Sequence, residues 1–190
     1  MQSPAKIWAD IRDEGHPWRT FKRKVITNTL GVRPERHAYQ KWIQGKLLNI
    51  GCGRDYIEGA VNVDNLQVTT YTSYKLKVDF IADACALPSV WADRFDTILA
   101  SHLWEHQPDP HAFLTEMHRV LKPGGRFIIV VPNYRYMGHT AYYRDPTHLW
   151  PFAPAMLEHC LKQDNRWKIL QFNKLGRWYK FSIDVVLEKR

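Results

Sequence analysis

The 190-residue chain is 45% hydrophobic and 24% charged, usage that fits one globular domain with a real core. It has no apolar run long enough to read as a membrane span, and its first residues lack the apolar stretch of a signal peptide. Its net charge of +8 sits at the two ends. Residues 1–46 carry ten Lys/Arg against four Asp/Glu, residues 47–150 nine against eleven, and residues 151–190 eight against four. Basic ends of this kind suit nucleic acid, anionic lipid or an acidic substrate as partners. Cys52, Cys85 and Cys160 are odd in number and widely spaced, which argues against a disulfide framework and a zinc knuckle. Reduced thiols in a cytoplasmic protein without a metal site are the expectation.

In chain order, residues 1–45 read as a basic N-terminal helical extension. Ile7, Trp8, Ile11, Trp18, Phe21, Val25 and Ile26 suggest helical pieces, broken at Gly15-His16-Pro17. Residues 18–24 interleave aromatics with cations, and a short helix is predicted over 35–44. Residues 46–190 then read as one domain. A short apolar strand over 46–50 ends in Gly51-Cys52-Gly53; a second over 60–64 ends in Asp64; a third over 78–83 ends in Asp83; a fourth covers 95–101. Asp109 and Pro110 open a helix whose stripe is Phe113, Leu114, Met117, Val120 and Leu121, and Lys122-Pro123-Gly124-Gly125 stops it. A strongly apolar strand over 126–132 follows. Residues 133–150 form a long polar and aromatic loop, of the length that usually carries function. A helix begins at 152–154 with Met156, Leu157, Cys160 and Leu161 on its face, and strands over 167–172 and 178–187 close the chain. Apolar strands separated by helices predict an α/β, doubly wound, mainly parallel seven-stranded sheet with an antiparallel last strand.

Ligands of such sheets sit at the carboxyl ends of the strands. Three consecutive strands here end in a glycine turn (Gly51, Gly53), an acid (Asp64, followed by Asn65) and an acid (Asp83, followed by Ala84). Glycine lets a ligand approach the backbone, and a carboxylate can accept both hydroxyls of a ribose. Tyr56 stands where a dinucleotide pattern has its third glycine, which argues against NAD.

These residues resemble a known family. Leu47 to Gly53, Val61-Asn62-Val63-Asp64, Ala82-Asp83-Ala84 with Leu87-Pro88, Phe95-Asp96-Thr97-Ile98 with Glu105-His106, and Leu121 to Phe127 look like successive motifs of the class I S-adenosylmethionine (SAM)-dependent methyltransferases. Asp145-Pro146-Thr147-His148 with Phe152-Ala153-Pro154 is similar to a segment of the type 11 methyltransferase-domain branch. The resemblance implies SAM as cofactor. It places Gly51 and Gly53 beside the methionine part, Asp64 and Asn65 at the ribose, and Asp83 and Ala84 at the adenine. Ser101 and His102 fall near the sulfonium, and His106 sits near the cofactor. Only seven residues separate Gly53 from Val61, so the crossover helix usual at this point is shortened or replaced by a loop.

A methyl acceptor that loses a proton is helped by a base. The long loop offers His148 as first choice, with Asp145 to orient it, and His139 as a further candidate. Tyr134, Tyr136, Tyr142, Tyr143 and Trp150 either wall an acceptor pocket or pack together. Three functions remain open from the sequence: methylation of an O or N atom on a small molecule or sugar/glycan intermediate, methylation of RNA, and a non-catalytic adaptor built on the same fold. By resemblance, the extension is expected to act as a lid.

Overall fold

The computed structural model describes residues 39–65, 77–173 and 182–190. The chain divides into two compact units, Met1–Lys41 and Trp42–Arg190. The aromatic–cation run of residues 18–24, the first four residues of the helix expected over 35–44 and the expected start of the last strand lie outside the described residues; over the described part of that expected helix, Gln40–Trp42 is a 3-10 turn.

The larger unit is built on a seven-stranded sheet: β1 (Leu47–Ile50), β2 (Val61–Asp64), β3 (Phe80–Ile81), β4 (Phe95–Ser101), β5 (Leu121–Pro132), β6 (Trp167–Asn173) and β7 (Ser182–Lys189). Their order is β3-β2-β1-β4-β5-β7-β6. The first five strands pair in parallel, and β7 runs antiparallel to both β5 and β6. All four residues of β1 and the stretch Phe127–Pro132 of β5 are buried, the continuous apolar pattern of strands covered on both faces. The doubly wound α/β architecture read from the sequence is the architecture of the molecule.

Helix α1 (Pro110–Val120) starts as its residues dictate. Asp109 accepts the His111 and Ala112 amides at 2.8 and 2.9 Å, and Pro110 occupies the first turn. Its buried stripe, Phe113, Leu114, Met117 and Val120, packs on the sheet. The ammonium of Lys189, near the end of β7, closes the far end of α1 by donating to the carbonyls of His118 and Leu121 and to Asp93.

Four expectations are corrected. The β5 strand begins at Leu121 directly after α1, and residues 122–125 form an irregularity within it instead of a separate stop. The third strand is only Phe80–Ile81; just before it, Asp79 donates its backbone N–H to the Asn62 carbonyl and its carboxylate accepts from the Asn62 backbone N–H. The long loop contains two helical turns, α2 (Tyr134–Met137) and α3 (His139–Tyr142). On α4 (Pro154–Gln163) only Leu157 and Leu161 are buried, and Met156 and Cys160 face outward.

Between β1 and β2 there is no helix; residues 51–60 are turns. The side chain of Asn62, fully buried, holds them in place. It accepts from the Ile57 amide (2.8 Å) and from the Asn49 side chain (2.9 Å), and donates to the carbonyls of Ile57 and Ala60 and to Asp79. Asn49 also ties the Asp55 carbonyl. Donors from the Asn62 backbone, then from its amide, hold the Asp79 carboxyl below the usual carboxylate range.

Two outcomes follow from this network. Replacing Asn62 by Leu strands buried polar groups and is expected to lower unfolding free energy by about 1–3 kcal/mol, measured by urea denaturation. Because the folded Asp79 carboxyl is depressed, its contribution is present above about pH 4 and is lost as pH falls through the lowered value. Asp79→Asn should be less stable at neutral pH and should show a shallower loss of stability on acidification; equal acid limbs for both proteins would contradict this.

Candidate functional site

The sheet reverses its winding between β1 and β4. From β1 the chain moves outward through β2 and β3, and then returns to the other side of β1 with β4. A crevice opens at the carboxyl ends of strands at such a reversal. Here it is a shallow, solvent-open cleft lined by Ile50, Gly51, Asp64, Asn65, Ala82, Asp83, Ala84, Leu103 and Gln107.

The glycine turn is demanded twice over. Gly51 has φ +64°, and a Cβ there would stand 2.8 Å from Leu103 Cδ1 on the opposite wall. Gly53 has φ +50° with open space around it, and its N–H donates to Asp64 Oδ2 at 2.8 Å. Asp64 therefore fastens the turn while facing the cleft. Asp83 accepts the Cys85 amide at 2.8 Å, and the Ala84 N–H beside it has no hydrogen-bond partner among the described residues. Burial disfavours the thiolate form of the two cysteines next to the cleft. Burial, then the Asp64 charge, pushes the Cys52 thiol up to about 12, and burial with Asp83 pushes Cys85 to about 11.

Of the nine positions assigned by resemblance to the cofactor, Gly51, Asp64, Asn65, Asp83 and Ala84 line this cleft. Gly53 supports it through Asp64. Ser101, His102 and His106 do not line it. Ser101 pairs with Val130 in the sheet. His102 takes φ +55°, a region unusual for a residue with a side chain, held by its N–H on the Val130 carbonyl. His102 and His106 both turn toward Glu105, with nitrogen–oxygen distances of 3.4 and 3.8 Å. The wall residues Leu103 and Gln107 escape a sequence reading, since nothing but their place around the Trp104–His106 turn marks them.

The long loop is stitched to that turn. The Leu149 and Trp150 amides donate to the Glu105 carbonyl, and the Trp150 ring N–H donates to the Gln107 carbonyl at 2.7 Å. Its tyrosines chiefly pack together. Tyr142 is fully buried, stacks against Tyr134, Tyr143 and His148, and donates its hydroxyl to the Trp150 carbonyl. Burial drives its phenol far above the ordinary range.

The candidate bases separate. His148 lies against His106, ring centroids 4.8 Å apart, but Asp145 does not orient it. The Asp145 carboxylate is 4.0 Å from His148 Nε2, beyond hydrogen-bond reach, whereas His148 Nδ1 is 2.7 Å from the Tyr142 carbonyl. Asp145 instead accepts from the Thr147 amide and hydroxyl. Burial opposes its ionisation, but the two Thr147 donors outweigh it and keep the carboxyl below its usual range. His139 is exposed and stacks on Tyr143.

Residues 23–168 match a family described as a methyltransferase domain. The chain belongs to this methyltransferase family. The match starts within the segment read as an extension and runs almost through the described fold. Membership makes the chain a methyltransferase with SAM as its methyl donor, as the motifs implied. Solved structures share the fold at low identity. A chain of the complex between the Haloferax volcanii Trm112 methyltransferase activator and its methyltransferase is 16% identical with a TM-score of 0.65, covering 88% of this chain and 93% of that one. A SAM-dependent methyltransferase from Methanosarcina mazei is 18% identical (TM-score 0.57; 83% and 98% covered), and one from Archaeoglobus fulgidus is 20% identical (TM-score 0.55; 88% and 94% covered). No curated protein matches the sequence. Among the described residues no helix is long and apolar enough to cross a membrane.

The cleft fits the donor on its own terms. It presents carboxylates from two neighbouring strand ends, a backbone N–H without a partner beside one of them, and a glycine wall without side chains. Gly51→Ala forces a side chain into Leu103 and into a left-handed backbone, at a cost of about 1–2 kcal/mol. Calorimetry with SAM should show weakened binding for this variant, and unaltered affinity would mean the turn does not border the donor.

Proposed function

We propose that this methyltransferase moves the methyl group to an O or N atom of a small molecule or sugar-containing acceptor. The observation behind this reading is the placement of the cleft. Its Leu103–Gln107 wall is the segment onto which the long loop is hydrogen-bonded, so cofactor cleft and acceptor loop share one support. SAM supplies an already activated methyl on a sulfonium. The chain's task is alignment, since a reacting pair held in line gains most of what an enzyme can offer a displacement.

In this reading Asp64 holds the ribose hydroxyls, Asp83 and the Ala84 N–H read the adenine, and Gly51 admits the methionine part. The acceptor enters beside the loop, with the Glu105, His106 and His148 group facing it to manage the acceptor proton. Asp145 acts as a positioning residue: it holds Thr147, and Thr147 holds His106. Residues 1–45 serve as the lid, and residues 46–190 as the catalytic domain.

Asp64→Ala is expected to weaken SAM binding by about tenfold or more in calorimetry, while Asp145→Asn leaves it near wild type. Removing residues 1–40 should raise the SAM dissociation constant if they cover the cofactor, and an unchanged constant rules out the lid. An RNA acceptor would be revealed by RNA binding that collapses between ~50 and ~200 mM salt. Absence of heat with SAM at high concentration would leave a non-catalytic adaptor.

A further inference from the structure

Glu105 is fully buried, and among the described residues neither oxygen of its carboxylate has a hydrogen-bond donor. A buried carboxylate in that condition is costly unless a cation meets it. What faces it is imidazole. One ring nitrogen each from His106 and His148 and a Glu105 oxygen lie within 4.8 Å of one another, and His102 Nδ1 stands 3.4 Å from Glu105 Oε1.

The protonation of two of these rings follows from their outer partners. His148 Nδ1 meets the Tyr142 carbonyl at 2.7 Å, and a carbonyl only accepts, so Nδ1 carries the proton. His106 Nδ1 meets the Thr147 carbonyl at 3.1 Å and the Thr147 hydroxyl oxygen at 2.9 Å. That hydroxyl spends its own proton on Asp145, so toward His106 it too accepts. In the neutral rings Nε2 then bears the lone pair, and that of His106 lies 3.8 Å from Glu105 Oε1. The separation is too long for a hydrogen bond. That pair suits two ligands of one ion, because atoms each about 2.1 Å from a metal stand roughly 3–4 Å apart; the widest separation in the set, up to 4.8 Å, has to close slightly when an ion binds. An imidazole whose other nitrogen donates to a carbonyl is the usual outer support of a metal ligand.

We propose that Glu105, His106 and His148, with His102 at their edge, bind a divalent transition-metal ion next to the cofactor cleft. Two imidazoles and one carboxylate suit Zn²⁺, Co²⁺, Mn²⁺ or Fe²⁺ better than Mg²⁺ or Ca²⁺, which prefer oxygen alone. Three protein ligands leave coordination positions open. On the methyl-transfer reading above, an ion there binds an acceptor hydroxyl and eases loss of its proton. The sequence gives no hint of this set, since its cysteines point away from a metal site.

The test uses the untagged full chain, stripped with chelator and titrated with Co²⁺ alone, without SAM. One equivalent should bind and produce the visible absorption of Co²⁺ in a nitrogen–oxygen site. Glu105→Gln and His148→Ala should each weaken binding by about 100-fold, since loss of even an outer partner typically costs about 10–100-fold. His159→Ala, an exposed histidine elsewhere, should change nothing. Thermal melts show whether each variant is folded; if Glu105→Gln does not fold, His148→Ala and His106→Gln carry the test. No Co²⁺ absorption, or equal affinity in wild type and folded site variants, overturns the proposal. Because SAM affinity is measured separately, a protein that binds SAM but not Co²⁺ loses only the metal site, and one that binds Co²⁺ but not SAM loses only the methyl-transfer reading.

Discussion

One buried amide sets the geometry on which the cleft depends. In a parallel sheet the connection from one strand to its neighbour normally travels through a helix that packs on the face and fixes the turn where a ligand sits. This chain has no room for that helix between β1 and β2. The Asn62 side chain takes over, using its acceptor and both its donors on Ile57, Ala60, Asn49 and Asp79. Hydrogen bonds in a low-dielectric interior enforce a single arrangement because each partner is costly to leave unmet. The same residue also ties Asp79, on the approach to β3, to the end of β2 through its backbone and its side-chain amide. Polar fixing of a short loop has therefore replaced apolar packing of a helix, with the strand ends still meeting at one cleft.

Much of this architecture was legible in the residues. The later part of β5 is a continuous apolar run and β1 and β4 are mostly buried, and a sheet covered on both faces suits them. Asp109-Pro110 marks the start of α1 without ambiguity. Missing from the sequence were features set by pairing partners. β3 reads as six residues but pairs over two, Phe80 and Ile81. Met156 and Cys160 look like a helix face but lie beside the narrow stripe, Leu157 and Leu161, that the sheet covers.

The site divides in the same way. The strand-end residues Gly51, Asp64 and Asp83 were readable because their role depends on position along a strand, which the apolar pattern reveals. His148 was visible as a titratable residue in a long loop, but its partner was misjudged. Sequence proximity suggested Asp145, whereas the loop's folding delivers the Tyr142 carbonyl. Glu105 was quoted only as part of a motif. Its importance lies in complete burial beside three rings drawn from the Trp104 turn and the far end of the loop, and a linear reading carries no measure of burial.

The placement of β7 has a consequence for how the molecule is made. Among the described strands it comes last in sequence, yet it lies inside the sheet between β5 and β6. Until it emerges during synthesis, β5 presents an unpaired hydrophobic edge and β6 has nothing to pair with. Lys189, which closes the end of α1, arrives with it. The nascent protein thus keeps an aggregation-prone gap at its centre until nearly the whole described chain has been translated, and it is in that interval that a chaperone has most to shield.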